Sequence, residues 1–142
     1  MLKLSEEIVL LALNKDGTFA PSPEESLQLA ITGALLTELA FLKRVDTDQN
    51  FLKVADRSDT GDFVLNETLK LIPNEQNLSI ARALSACSVK ADEFMRLTLE
   101  SLAVKGILRK HEEKFLWVID EQRFKVEDER PADEIRERIR RI

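Results

Sequence analysis

Ser22-Pro23-Glu24-Glu25-Ser26-Leu27-Gln28-Leu29-Ala30-Ile31-Thr32-Gly33-Ala34-Leu35-Leu36-Thr37-Glu38-Leu39-Ala40-Phe41 announces a helix in its first four residues and a buried one in the rest. Ser22 stands where an N-cap accepts a backbone N–H. Pro23 takes the first helical position, where its missing N–H is no loss, and Glu25 completes a capping box. Leu27, Ala30, Ile31, Ala34, Leu35 and Leu39 cover more than one narrow stripe, so the helix is expected to be covered on several sides. Gly33 in its middle costs about 1 kcal/mol relative to Ala. Either a close helix crossing or a tolerated defect accounts for it.

Such a helix needs partners, and the flanking sequence supplies them. Upstream, Ser5 caps a first helix that runs through Ile8, Val9, Leu10 and Leu11, with Glu6 and Glu7 at the positive end of its dipole. Asn14-Lys15-Asp16-Gly17 stops it with turn chemistry. Downstream, Val45 and Phe51-Leu52-Lys53-Val54 flank residues 46–50 as a short hairpin. A helix follows from about Asp62, with Leu65, Leu69 and Ile72 on one face and Pro73 at its end. Residues 78–86 and 88–105 read as two more helices, the second closed by Gly106. Ile107-Leu108-Arg109 and Phe115-Leu116-Trp117-Val118-Ile119 read as paired strands around a charged turn at His111-Glu112-Glu113-Lys114. Phe124-Lys125-Val126 reads as a short edge strand. Residues 131–142 form a last helix with Ile135, Ile139 and Ile142 on one side. The expected fold is mainly α: a single helical domain with short β-hairpins, spanning residues 1–142.

Composition narrows the function. Of 142 residues, 44% are hydrophobic and 33% charged, the balance of a globular chain. A net charge of −5 argues against a broad nucleic-acid footprint, which needs clustered Lys and Arg. Cys87 is the one cysteine, so no intramolecular disulfide can form, and its small neighbours suggest a packed residue. No Walker loop or dinucleotide glycine pattern occurs. His111, the one histidine, reads as a solvated turn residue rather than a general base. A lone His and a lone Cys argue against a His/Cys metal site, and no cofactor is expected. The acid pairs Glu24/Glu25 and Glu112/Glu113 sit where helix starts and turns want charge, so an enzyme is the least supported class. No apolar run is long enough to span a bilayer, and Glu6 and Glu7 interrupt any secretory leader, which points to a cytoplasmic protein.

Several segments resemble the Golgi phosphoprotein 3 family in order and spacing. Leu4-Ser5-Glu6-Glu7-Ile8-Val9-Leu10-Leu11-Ala12-Leu13 is similar to its first helix, and Gly33-Ala34-Leu35-Leu36-Thr37-Glu38-Leu39-Ala40 to its central one. Thr60-Gly61-Asp62-Phe63-Val64-Leu65-Asn66-Glu67-Thr68-Leu69-Lys70-Leu71-Ile72 is the most specific match, close to a threonine-glycine-aspartate helix opening. By itself that triplet is a turn and a cap. Val104-Lys105-Gly106-Ile107-Leu108 with Phe115-Leu116-Trp117 resembles the later helix and hairpin. The resemblance implies a non-catalytic helical domain that recognises phosphatidylinositol 4-phosphate and pushes an apolar hairpin into the bilayer. Where well-studied members have a headgroup tryptophan and three arginines, this chain has Pro23, Thr32, Asp92 and Met95. Arg96 is the basic neighbour, and with Lys90 and Arg82 it forms the candidate headgroup cluster. Family members continue beyond the segment that residues 135–142 resemble, so the chain reads as a shortened or truncated member lacking the C-terminal helices.

Phe115, Leu116, Trp117, Val118 and Ile119 form the candidate membrane or oligomer contact. As one strand, Phe115, Trp117 and Ile119 would share a face. Protein covers both faces, or one face or the tip meets lipid or another subunit. Two or three inserted side chains, each worth roughly 1.5–3 kcal/mol when fully buried, give weak and reversible attachment. The last helix, with Arg136, Arg138, Arg140 and Arg141 beside its isoleucines, is a second surface-seeking element unless it simply packs. The expected partners are an anionic membrane lipid at a peripheral site and further copies of the chain, with no metal and no nucleic acid. The alternatives are an interaction or oligomerisation scaffold without lipid binding, and a winged-helix-like nucleic-acid-binding regulator built from residues 78–119. The last has Asp92, Glu93 and Glu100 against Lys90, Arg96 and Lys105, a poor track for phosphates.

Overall fold

Helix α2 (Glu24–Phe41) is the piece around which the rest assembles. The computed structural model describes residues 2–16, 18–19, 24–115 and 118–142, and their side chains outside 24–25 and 111–123. The elements in chain order are α1 (Leu4–Ala12), α2, β1 (Val45–Asp48), β2 (Phe51–Val54), α3 (Phe63–Leu71), α4 (Ile80–Ser88), α5 (Ala91–Val104), β3 (Leu108–Phe115), β4 (Val118–Val126) and α6 (Arg130–Arg140). Among the described residues the fold is mainly α, six helices with two antiparallel two-stranded sheets, as the periodicity implies.

The reason α2 is central lies in its sequence. Ile31, Leu35 and Leu39 recur every four residues and are buried completely or nearly so, with Ala34 and Leu36 beside them. The helix meets α1, α3, α4, α5 and β1. Thr32 is also fully buried, and its hydroxyl is satisfied by donating to the Gln28 carbonyl at 2.8 Å. A Cβ added at Gly33 would meet nothing within 4 Å, so no close crossing explains that glycine. The expected caps Ser22 and Pro23 lie outside the described residues.

The other elements follow their local chemistry, with corrections. Helix α1 starts one residue before Ser5: Lys3 is its N-cap, and the Glu6 carboxylate accepts the Lys3 N–H at 2.9 Å. Ser5 is instead a buried helical residue whose N–H reaches across to Glu38 at 2.8 Å. The first hairpin turns at Gln49-Asn50, with Val45↔Val54 at its base and Gln49 at a φ of 51°. Asp62 caps α3 by accepting from the Leu65 N–H at 2.9 Å. At the other end of α3, Arg57 donates to the Leu69 and Ile72 carbonyls at 2.9 and 3.1 Å, satisfying acceptors that a helix end leaves open. Gly106, at a φ of 78°, ends α5. Cys87 is fully buried against α3, near the Thr68 carbonyl, as its small neighbours suggest.

Candidate functional site

The second hairpin leaves the body where α5 ends. Leu108 of β3 and Phe124 of β4 are buried in the core, and the Glu127 N–H closes the base by donating to the Ile107 carbonyl at 2.9 Å. Register runs from Leu108↔Val126 at that base to Phe115↔Val118 at the far end, with an irregularity between Glu113 and Phe115. Seven residue steps at about 3.3 Å each put the far pair roughly 23 Å from the base.

This register corrects the sequence reading in three ways. The chain reverses between Phe115 and Val118, and not at His111-Glu112-Glu113-Lys114: His111, Glu112 and Glu113 lie within β3, opposite Arg123, Gln122 and Glu121. A two-stranded hairpin has no obligatory buried face, so a run of charges in it does not mark a turn. Phe124-Lys125-Val126 is the returning end of β4 rather than a separate edge strand. The run from Phe115 to Ile119 is not one strand: Phe115 ends β3, Val118 and Ile119 begin β4, and Leu116 and Trp117 lie outside the described residues. A single strand face shared by Phe115, Trp117 and Ile119 falls with that.

The three candidate headgroup cations sit on or beside consecutive helices, and each stands next to an acid. Arg82, in the first turn of α4, is 3.5 Å from Glu75. Lys90, the N-cap of α5, is 4.0 Å from Glu67 of α3. Arg96, on α5, is 3.2 Å from Glu100 one turn on. They share no acid, and all three are exposed. Three of the positions where the chain departs from the family's headgroup residues can be placed. Thr32 is sealed inside α2's interface, Asp92 accepts from the Gln28 amide at 3.0 Å and ties α5 to α2, and Met95 packs against the core. Pro23 lies outside the described residues.

Sequence reasoning missed a charged knot beneath the hairpin. Glu6 is 1% exposed, yet Lys105 Nζ donates to its Oε1 at 2.6 Å and the Ser101 hydroxyl to its Oε2 at 3.0 Å. Burial alone would raise this carboxyl, but the hydrogen bonds from Lys105, Lys3 and Ser101 outweigh it and hold Glu6 below its ordinary value. The knot locks α1 to the last turn of α5, directly before the hairpin. Nearby, Lys3 pairs with Asp62, so the threonine-glycine-aspartate turn is tied to the start of α1. Thr60 and Asp59 complete that turn by bonding Asn66 at 2.7 and 2.8 Å. Two acids one turn into a helix signalled a dipole effect; nothing local signalled that one of them would meet a lysine 99 residues away.

Among the described residues, no helix is long and apolar enough to cross a membrane. A family model described as Golgi phosphoprotein 3 (GPP34) matches residues 4–142. Vacuolar protein sorting-associated protein 74 of Eremothecium gossypii is 25% identical over 159 residues, covering 97% of this chain and 48% of that protein. Its namesake from Schizosaccharomyces pombe is 24% identical over 159 residues, with 97% and 47% covered. The chain thus spans about half the length of the curated relatives it matches.

Proposed function

The chain belongs to the Golgi phosphoprotein 3 family, and from that premise we propose that it is a non-catalytic adaptor held at the periphery of a Golgi-type membrane. The lipid is an anionic phosphoinositide, with phosphatidylinositol 4-phosphate the headgroup that the family resemblance implies. The β3–β4 hairpin is the anchor, and Arg96, Lys90 and Arg82 supply the headgroup contacts. One observation carries the reading: the Phe115↔Val118 register sets an apolar run at the end of the hairpin remote from its buried base. A few apolar side chains entering lipid at roughly 1.5–3 kcal/mol each suffice for reversible attachment.

The acids beside Arg82, Lys90 and Arg96 favour a second reading. In it the family fold serves as an interaction scaffold and the headgroup contact is weak. Vesicles separate the two. Trp117 is the one tryptophan and the chain has no tyrosine, so its emission reports on the hairpin alone. Neutral vesicles and vesicles containing phosphatidylinositol 4-phosphate are titrated while emission and co-sedimentation are followed together. The lipid-adaptor reading expects a blue shift and preferential pelleting with the phosphoinositide, both lost in Val118→Asp. Pelleting without preference leaves a general membrane binder. A folded protein that neither pellets nor shifts its emission is the scaffold. Salt-dependent retention of DNA would instead revive the nucleic-acid reading.

A further inference from the structure

Strand β2 has one edge that is only half used. Its other edge is committed to β1, where Lys53 lies opposite Asp46 and, two residues on, the Ala55 N–H donates to the Arg44 carbonyl at 2.8 Å. Antiparallel pairs alternate between those that exchange hydrogen bonds and those whose polar groups point away from the partner strand. Leu52 and Val54 are therefore the outward residues of β2. At the start of the strand the chain covers this edge itself. The Leu52 N–H donates to the Leu78 carbonyl and the Ile80 N–H to the Asn50 carbonyl, each at 2.8 Å, around a bridge between Phe51 and Ser79. Asn77, at a φ of 55°, turns the covering segment away before it reaches Val54. The Leu52 carbonyl and the Val54 N–H are left without a hydrogen-bond partner among the described residues. Beside them opens a groove of about 680 Å³, lined by Lys53 and Val54 and by Pro73, Asn74 and Glu75 of the departing segment. That volume is in the ordinary range for a ligand site.

We propose that this edge takes up an extended peptide of a partner protein, which continues the sheet where Leu78 and Ser79 stop. Backbone chemistry and charge select this occupant. A free carbonyl and a free N–H on a strand edge are matched by the backbone of another strand, whereas a helix has its own groups engaged. Leu78 and Ser79 already use the edge in this way one step earlier. Lys53 is exposed and has no ion pair among the described residues, although Asp46 stands across from it on β1. Glu75 is 3.5 Å from Arg82 and is balanced there. Successive residues of the added strand face opposite sides. Those turned inward, beside Val54 and Pro73, are aliphatic, and the outward one beside Lys53 is an acid. Asp48, opposite Phe51, disfavours a second acid two residues along. The proposal is independent of the lipid reading and of the β3–β4 hairpin.

The test is selection of a displayed library of random heptapeptides on the full chain, followed by synthesis of the most enriched sequence. Peptides that alternate aliphatic residues with an acid are expected. The synthetic peptide should shift the amide resonances of Leu52, Lys53 and Val54, slow exchange of the Val54 N–H by about tenfold, and leave α6 unmoved. Val54→Pro removes the free donor from an edge, where proline is tolerated, and is expected to weaken the peptide by about tenfold. Lys53→Glu is expected to weaken it by about fivefold, and changing the peptide's acid to lysine should restore binding to that variant. Circular dichroism checks both variants. If Val54→Pro unfolds the chain, Lys53→Glu with the charge-swapped peptide decides, since Lys53 is exposed. A library that yields no enriched sequence overturns the proposal. So do enriched peptides that shift resonances away from β2, that bind a folded Val54→Pro like the parent, or that ignore the charge at residue 53. Shifts at Leu52 and Val54 that grow with protein concentration and no peptide present overturn it too, by giving the edge to a second copy.

Discussion

Glu6 holds a charge in a place closed to water, and its hydrogen bonds make that tenable. Because its folded pKa is depressed, its stabilisation is complete above the unfolded value near pH 4.3 and is lost as pH falls through the lower folded value. Glu6→Gln keeps an acceptor for the Lys3 N–H but leaves Lys105 facing a neutral amide. A loss of about 1.5–3 kcal/mol at pH 7 is expected, the range for hydrogen bonds to charged groups. Urea unfolding of both proteins between pH 7 and pH 2 checks the assignment: the gap should close toward the acid end, and a constant gap would place the loss elsewhere. Gly33 gives a change of opposite sign. It sits inside α2 with open space where a Cβ would go, so Gly33→Ala should raise stability by about 0.5–1 kcal/mol. On a domain of this size that is an increase in melting temperature of roughly 2–4 °C. Of these two residues, the helical glycine was legible in the sequence and the buried carboxylate was not. Helix propensity is local, whereas the partner that keeps Glu6 charged arrives from the far end of α5.

Most helices were legible as elements because they carry their own starts, stripes or stops: Asp62 as a cap, Leu65 and Leu69 on one face, Gly106 at an end. The first hairpin was legible for a similar reason, since polar residues separate two β-prone runs. The second hairpin misled, because it has no Gly, Pro or Asn at its reversal and carries charges along its strands. Its register is set by anchorage at the base, where Leu108 and Phe124 enter the core, and that is a tertiary fact no local pattern contains. The same register sets exposed Arg109 directly opposite exposed Lys125. Like charges in cross-strand pairs are destabilising, and an opposite-charge pair is worth roughly 0.2–1 kcal/mol. Lys125→Glu is therefore expected to slow amide exchange in β3 and β4 without altering exchange in α2. Unchanged or faster exchange in the hairpin would mean that the two side chains do not sense each other.

On the scale of the whole molecule, the proposed attachment to a membrane would set an apolar anchor against an acidic body. The formal charge of −5 opposes approach to anionic lipid. A basic residue near such a surface is worth about 1 kcal/mol, and only to the extent that it is not already neutralised by a neighbour. Lys90 and Arg96 stand within 4.0 and 3.2 Å of Glu67 and Glu100, so much of their field is cancelled before any lipid arrives. Both acids are partly exposed, where neutralising them does little to the fold. The headgroup reading therefore makes a prediction that runs against the usual loss-of-function logic. Glu67→Gln with Glu100→Gln should tighten binding to vesicles containing phosphatidylinositol 4-phosphate by about five- to tenfold, from two cations released at up to roughly 1 kcal/mol each. Binding to neutral vesicles, carried by the hairpin, should not change, and the gain should shrink as salt is raised. Equal gains on both kinds of vesicle would show only a reduced global repulsion or a loosened fold. No gain on either would take Lys90 and Arg96 out of the proposed headgroup contact and leave Arg82 and the hairpin as the remaining candidate contacts.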